Sequence, residues 1–183
     1  MSVFWLLLIG FALGAVLVVG GQVTLAATGT TEFCGTTCHS HAQFVYPEYK
    51  QSGHFANRTG VRAGCSDCHV PHEYPAKLFY KMRAGLRDGI AEMRGVISTK
   101  EKFEKERWRL ANQVWDEMRA NGSAACRRCH DPAAMAANKQ NDIARQMHER
   151  VKKDDAACVD CHKGVAHVEP EEPGESSATS PAK

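Results

Sequence analysis

The sequence predicts a mainly α-helical fold of short helices and loops, preceded by a single helix that spans a membrane. Three observations lead to this fold class. Four cysteine-histidine motifs use all eight cysteines, the first 31 residues carry no charged side chain, and apolar residues recur at helical spacing in two later segments. At 183 residues, the chain is long enough for one small domain with a modest side-chain core.

Each motif is a closely spaced pair of cysteines followed at once by a histidine. This is the attachment signature of c-type haem, because two thiols add to the haem vinyl groups while the adjacent imidazole binds the iron. We therefore expect four covalently bound haems c in a haem-dominated multihaem cytochrome domain, with the macrocycles supplying much of the core. The predicted attachment residues are Cys34, Cys38, Cys65, Cys68, Cys126, Cys129, Cys158 and Cys161, and the adjacent iron ligands are His39, His69, His130 and His162.

Disulfides and structural zinc are the two alternatives for these motifs. Neighbouring Cys-x-x-Cys disulfides would not need the histidines that follow them. A histidine directly after the second thiolate is a poor geometry for a shared tetrahedral zinc site. We therefore favour haem over both.

The first motif departs from the pattern of the other three. Three residues rather than two separate Cys34 from Cys38. Because the distance between the haem vinyl groups is fixed, this loop must bulge to form both thioether bonds, or else only one forms. His41, two residues after His39, is either a solvated neighbour or an alternative ligand, so the ligation and spin state of haem 1 stay open.

The part of the chain after the apolar segment contains an internal repeat. The first two motifs begin 31 residues apart, and the last two begin 32 residues apart. Each half, about 28–95 and 96–167, also contains one histidine distant from its motifs and one close to them. Their matched number and order predict sixth ligands and low-spin, bis-histidine iron. These four distal candidates are His54, His72, His148 and His167. Which of them serves which haem is left open by the sequence.

The N-terminal segment reads as a retained membrane anchor over residues 1–27. Val3 to Val23 is nearly unbroken apolar sequence, long enough to cross a hydrocarbon core of about 30 Å. A cleaved signal peptide would need a basic start and a shorter apolar run. Because haem attachment takes place outside the bacterial cytoplasm, we expect a single-pass protein of the inner membrane with its haem domain in the periplasm. Gly10 and Gly14 would let two such helices pack closely, which makes a homodimer one alternative.

Several stretches resemble a known family. The anchor, the four motifs, Ser52-Gly53-His54, the stretch from Gly60 to His72 and the closing stretch from Cys158 to His167 are similar to the NapC/NirT family of membrane-anchored tetrahaem quinol dehydrogenases. The resemblance implies a protein that oxidises membrane quinol and passes electrons to a periplasmic terminal reductase. It maps the distal ligands of the family onto the same four histidines. Family members commonly carry methionine where this chain has His41.

The segment after the second motif is where quinol would meet the protein. Lys77 to Arg94 reads as a helix, on which Lys81 and Asp88 are seven residues apart and share a face. They would offer a cation to hold the oxygen of menaquinol or ubiquinol and a carboxylate to accept its proton. In the resembling family, a lysine and an acidic residue at this place are implicated in quinol binding. The alternative is an ordinary solvated helix face.

The remaining sequence predicts a second helix and an acidic tail, and its charge gives no support for nucleic-acid binding. Ser98 to Arg119 is predicted to be a helix that packs in the core, and residues 168–183 to be a disordered acidic tail. The formal net charge is +2 with dispersed basic residues, which gives no support for nucleic-acid binding. Two other functions remain open: a passive cytochrome between protein partners, and a reductase of small oxyanions at an open haem.

Overall fold

The computed structural model describes residues 2–154 and 156–174, and that part of the chain contains helices and loops but no β-strand. This confirms the predicted fold class. The helices are α1 (Val3–Ala27), α2 (Thr31–Thr36), α3 (Tyr46–Lys50), α4 (Cys65–His69), α5 (Ala76–Met93), α6 (Lys100–Ala120), α7 (Ala124–Arg127) and α8 (Asp142–Asp154). A π turn covers His41–Val45, and 3₁₀ turns cover Ala137–Lys139 and Cys158–Asp160.

Helix α1 is long and apolar enough to cross a membrane. Its 25 residues correspond to about 38 Å of helix, against a hydrocarbon core of about 30 Å. None of its residues is buried against the rest of the protein. Its side chains are therefore available to lipid along the whole length of the helix.

Helices α5 and α6 form close to the positions that their apolar spacing predicts. Helix α5 presents an amphipathic surface whose exposed apolar residues include Met82, Leu86 and Met93. The cap of α6 is Thr99, whose hydroxyl accepts a hydrogen bond from the backbone N–H of Lys102 at 3.4 Å. A threonine at this position satisfies one of the free N–H groups of the first turn, so α6 begins directly after it.

The largest cluster of buried apolar side chains lies where α6 meets the fourth motif. Trp115 of α6 is buried with Ala157 and Val159, and Trp108 packs edge-to-face on Trp115 with 5.8 Å between ring centres. Among the described residues, five hydrophobic side chains are buried in all, including Tyr49. This small protein core agrees with a fold whose interior is largely supplied by haem.

The first two motifs are held together by a close approach of α2 and α4. A Cβ atom at Gly64, just before α4, would lie 2.5 Å from the Thr31 hydroxyl oxygen of α2, which only a glycine avoids. Ser66 of α4 donates a hydrogen bond to the backbone oxygen of Gly29 at 2.7 Å. The two haem-binding segments of the first half are thereby packed directly on each other and on the end of α1.

A half-buried ion pair joins the two halves of the domain. Arg107 of α6 pairs with Glu48 of α3, and their side chains are 11% and 20% exposed. Glu48 also accepts a hydrogen bond from the backbone N–H of Val168 at 3.0 Å, directly after His167. The predicted disordered tail thus begins with a residue that is bonded to the domain, and residues 175–183 of that prediction lie outside the described residues.

Candidate functional site

Three of the four motif histidines face a second histidine across a gap that suits an iron atom. The ring centres are 6.2 Å apart for His54 and His130, 6.3 Å for His69 and His167, and 6.0 Å for His148 and His162. An iron bonded at about 2 Å to one nitrogen of each ring would separate the ring centres by roughly 6 Å. Each pair joins one motif histidine to one predicted distal histidine. The residues present therefore fit bis-histidine haem at three motifs.

Two of the distal histidines are held by their second ring nitrogen. His54 Nδ1 lies 3.1 Å from the backbone oxygen of Val165, and His148 Nδ1 lies 2.7 Å from Gln140 Oε1. With the proton on Nδ1 donated to these oxygens, the lone pair of Nε2 is free to bind a metal. Sequence reasoning missed Val165 and Gln140, because neither a backbone oxygen nor a single glutamine carries a recognisable pattern.

The pair His69 and His167 lies in the most buried environment of the three. Burial lowers the pKa of His69 to about 4, and the neighbouring His167 and His41 lower it further. The imidazole is therefore neutral at neutral pH, which is the form that binds iron. This pair and the pair of His54 with His130 each take one histidine from residues 28–95 and one from 96–167. Two of the three ring pairs thus join the two halves of the domain.

The cysteines of successive motifs lie beside one another in chain order. A hydrogen bond from Cys65, opposed by burial and aided by Lys81, lowers the pKa of Cys34 to about 7. Burial first, and then the charge of Cys126, raises the pKa of the Cys68 thiol, and Cys158 adds in the same way to the effect of burial on Cys126. The four motifs therefore follow one another through space in the order of the sequence.

The described residues contain neither a disulfide nor a cluster of metal-binding side chains. All eight cysteines belong to the described residues, and none forms a disulfide. Within residues 2–154 and 156–174, no three side chains of the metal-binding types converge on a point, as a shared zinc site would require.

The first motif is fixed by a residue of α5 that sequence reasoning missed. Glu92 accepts hydrogen bonds from the Ser40 hydroxyl at 2.7 Å and from the Ser40 backbone N–H at 3.3 Å, and its other contact is with His39 Nδ1. Burial alone would raise the pKa of Glu92, but the hydrogen bonds from Ser40 and the charge of His39 hold it below its usual range. The glutamate is therefore ionised at neutral pH. His41 lies close enough to the buried pair His69 and His167 to lower the pKa of both.

A cavity of about 250 Å³ lies between the end of α1, the second motif and α5. Lys81 lies in its wall, and its ammonium group donates hydrogen bonds to Thr28 Oγ1 at 2.6 Å and to the Leu25 backbone oxygen at 3.3 Å. Burial lowers the pKa of Lys81, although the Cys34 thiol beside it acts in the opposite direction. The cavity thus adjoins both the end of α1 and the second haem-binding motif, and Lys81 in its wall lies near Cys34 of the first motif.

The two predicted quinol residues are not brought together in that cavity. Asp88 lies two helical turns from Lys81, about 10 Å along α5, and forms an ion pair with Arg87 at 2.8 Å. Its carboxylate is 47% exposed. Burial raises the pKa of Cys38 most, and the charges of Glu92 and then Asp88 raise it further. The helical face that the two residues share therefore continues from the cavity to the first motif.

The fourth distal candidate, His72, also lines the cavity. Its Nε2 is buried and has no hydrogen-bond partner among the described residues. His72 is the one distal candidate that the ring contacts do not pair with a motif histidine, as His39 is the one motif histidine left over.

Comparisons with known proteins agree with the arrangement of motifs. A family model for the NapC/NirT cytochrome c family, N-terminal region, matches residues 1–172. The Denitrification system component NirT of Stutzerimonas stutzeri is 43% identical, over 91% of this chain and 82% of its own length. The Cytochrome c-type protein NapC of Escherichia coli K12 is 43% identical, over 92% and 86%, and a Putative tetraheme cytochrome-c type of Allochromatium vinosum is 45% identical, over 95% and 94%.

No solved structure gives a significant match. The family model covers nearly the whole chain, and these relatives align with more than nine tenths of it. The chain therefore belongs to the NapC/NirT cytochrome c family, and it is a tetrahaem c-type cytochrome of electron transport whose N-terminal helix can span a membrane.

Proposed function

We propose that this cytochrome oxidises quinol at the membrane surface and delivers the electrons to a periplasmic terminal reductase. The observation that carries the proposal is the cavity beside Lys81, which lies between the end of the membrane-spanning helix, the second motif and α5. One relative is named as a denitrification system component, which supports a reductase of a nitrogen oxide as the class of acceptor.

The haem ligands follow from the ring pairs. We assign His69 with His167 to haem 2, His130 with His54 to haem 3, and His162 with His148 to haem 4. For haem 1 the remaining motif histidine is His39 and the remaining distal histidine is His72. Bound haem supplies one-electron redox chemistry, so four sites in chain order can accept the two electrons of a quinol one at a time.

Two residues of α5, Lys81 in the cavity and Asp88 beyond it, bind the quinol and receive its protons. Lys81, held by Thr28 and the end of α1, presents a cation to the quinol oxygen. Each quinol that is oxidised to quinone releases two electrons and two protons. Asp88 is too far along α5 to touch the same oxygen, so we assign it to the release of protons beside the first motif, where it is half exposed.

The proposal also includes the orientation of the protein in the membrane and its packing against a second copy of the chain. Haem attachment places the domain after α1 in the periplasm, on the outer face of the bacterial inner membrane. Gly10 and Gly14 have no atom within 4 Å of an added Cβ, so the face that they form on α1 is open to a second copy of the helix.

The test is reduction of the purified holoprotein by a menaquinol analogue in detergent. We expect Lys81→Ala to slow quinol-dependent reduction by tenfold or more, on the order of the loss of one electrostatic contact in a buried site. Reduction by dithionite should keep its wild-type rate. Thr28→Val is the matched control, because it removes the hydrogen-bond partner of Lys81 and leaves the cation in place, so a smaller loss is expected.

Three outcomes would contradict parts of the proposal. Wild-type quinol kinetics in Lys81→Ala with four haems bound would remove Lys81 from the mechanism. Equal losses in Lys81→Ala and Thr28→Val would assign Lys81 to the attachment of α1 rather than to quinol. A wild-type protein that quinol does not reduce, but that a reduced protein donor does, would establish the passive electron-transfer function instead.

A further inference from the structure

We propose that Glu92 is a positioning residue that lowers the reduction potential of the haem at the first motif by holding His39 through a carboxylate. The inference rests on haem attachment in the proposed function, and it does not depend on quinol as the donor.

The geometry gives Glu92 little freedom to turn away from His39. It comes from the last turn of α5, 52 residues after Ser40, and its two oxygens accept both the hydroxyl and the backbone N–H of Ser40. The Glu92 side chain is 20% exposed, which limits competition from water. The carboxylate therefore stays on Nδ1 of His39, and the other nitrogen of that ring is left to the iron.

The acceptor at His39 differs in charge from those at the other two anchored histidines. His54 donates to a backbone carbonyl and His148 to the side-chain amide of Gln140, and both of these acceptors are neutral. A carboxylate draws the Nδ1 proton more strongly than an amide does, which makes the ring a stronger electron donor to its metal. Ferric iron carries the higher charge, so it gains more than ferrous iron and the reduction potential falls.

The charge of Glu92 is secured by its surroundings. Its two oxygens face three donors, the Ser40 hydroxyl, the Ser40 backbone N–H and His39 Nδ1, and hydrogen bonds to the ionised form favour a carboxylate. At a fixed neutral pH the group is a carboxylate, so no change of protonation is needed for the effect.

The position of the first haem determines how a lower reduction potential affects electron transfer. The Cys34 thiol lies next to Lys81 at the cavity, and next to Cys65 of the second motif. A low potential at the first haem makes onward transfer to the second motif more favourable, and it makes reduction of that haem from the cavity correspondingly less favourable. Glu92 thereby sets the driving force of the two electron-transfer steps at the entry to the chain of haems.

The experiment is a redox titration of the holoprotein at fixed neutral pH, with two reciprocal substitutions. Glu92→Gln keeps the size and the hydrogen bond but removes the charge. We expect the ratio of reduced to oxidised haem at one of the four sites to rise about tenfold at a given potential, which is ~59 mV for one electron. Gln140→Glu is the matched control, because it places a carboxylate on His148, and it should shift a different haem by a similar amount in the opposite direction.

A third variant covers the case in which Glu92→Gln matures poorly. Ser40→Ala removes one donor to Glu92 without changing the carboxylate, and it should raise the same potential by a smaller amount. Four haems counted by pyridine haemochrome, with all four potentials unchanged in Glu92→Gln or, where that variant is not obtained, in Ser40→Ala, would overturn the inference. Quinol reduction that is lost while the potentials stay constant would also count against it and would leave the proposed donor intact. A shifted potential in a protein that quinol does not reduce would support it and overturn the donor.

Discussion

The two halves of the haem domain hold their paired motifs together in different ways. In the first half, α2 and α4 touch through Gly64, and Ser66 bonds to the end of the membrane-spanning helix. In the second half, buried Ser123 accepts a hydrogen bond from the Cys158 backbone N–H at 2.9 Å, and Trp115 covers the fourth motif. The repeat in the sequence thus preserves the spacing of the motifs, whereas their surroundings are specialised, one half for the membrane and the other for a protein core.

The halves are nevertheless one structural unit. Two of the three histidine pairs take one ring from each half, and the ion pair of Glu48 with Arg107 lies between them. A disturbance at this junction should therefore affect both halves, and a disturbance inside one half should affect mainly its own haems. The three substitutions that follow test this difference, in order of decreasing effect.

The largest effect is expected at the junction, from Glu48→Ala. It leaves Arg107 half-buried with Glu104 as its remaining partner, and it removes the acceptor of the Val168 N–H beside His167. We expect a loss of about 3 kcal/mol in the free energy of unfolding, measured by circular dichroism during thermal or denaturant unfolding. Glu106→Ala, at the exposed pair with Arg109, is the control and should cost less than about 1 kcal/mol. Equal losses in the two variants would show that the junction does not hold the halves together.

A change confined to the first half is Gly64→Ala. The added Cβ would lie 2.5 Å from Thr31 Oγ1, so the Thr31 side chain or the packing of α2 on α4 must shift. We expect destabilisation by about 2 kcal/mol and altered spectra of the first two haems only. Gly85→Ala in α5 meets no atom within 4 Å and should be neutral or stabilising by up to about 1 kcal/mol. Spectral changes at haems 3 and 4 in Gly64→Ala would argue against separate halves.

The smallest effect is expected in the second half, from Ser123→Ala. The side chain of Ser123 is fully buried, so its loss leaves the Cys158 N–H without an acceptor, at a cost of about 1 to 2 kcal/mol. Ser123 has a φ of 56°, a region that favours glycine. Ser123→Gly should therefore be less harmful than Ser123→Ala in the same unfolding measurement. The reverse order would show that the positive φ of Ser123 does not penalise a residue that carries a Cβ atom.

The sequence predicted the motifs, the apolar helix and the two long helices, because each rests on local spacing. The hydroxyl of Thr99 begins α6 almost where the pattern placed it, and the distal histidines His54, His148 and His167 lie opposite motif histidines. The sequence could not predict which of these histidines face each other. Their pairing depends on how the halves fold across each other, which no spacing within either half records.

The residues that sequence reasoning missed act through contacts between distant parts of the chain. Glu92 reaches Ser40 across 52 residues, and Glu48 reaches Val168 across 120. In the sequence, each is one more charged residue on a helix. The separation of Lys81 from Asp88 has the same origin, because Lys81 turns towards α1 and Asp88 pairs with Arg87 instead.

The π turn at His41–Val45 bears on how the chain tolerates its unusual first motif. One additional residue in a helical stretch would rotate everything after it by about 100°, and would carry Tyr49 away from its hydrogen bond with Ala63. A widened turn takes up one residue without passing that rotation on. Insertions and deletions in the first motif can therefore be compensated within a few residues, and variants that combine a shortened motif with a regular turn should keep the downstream register.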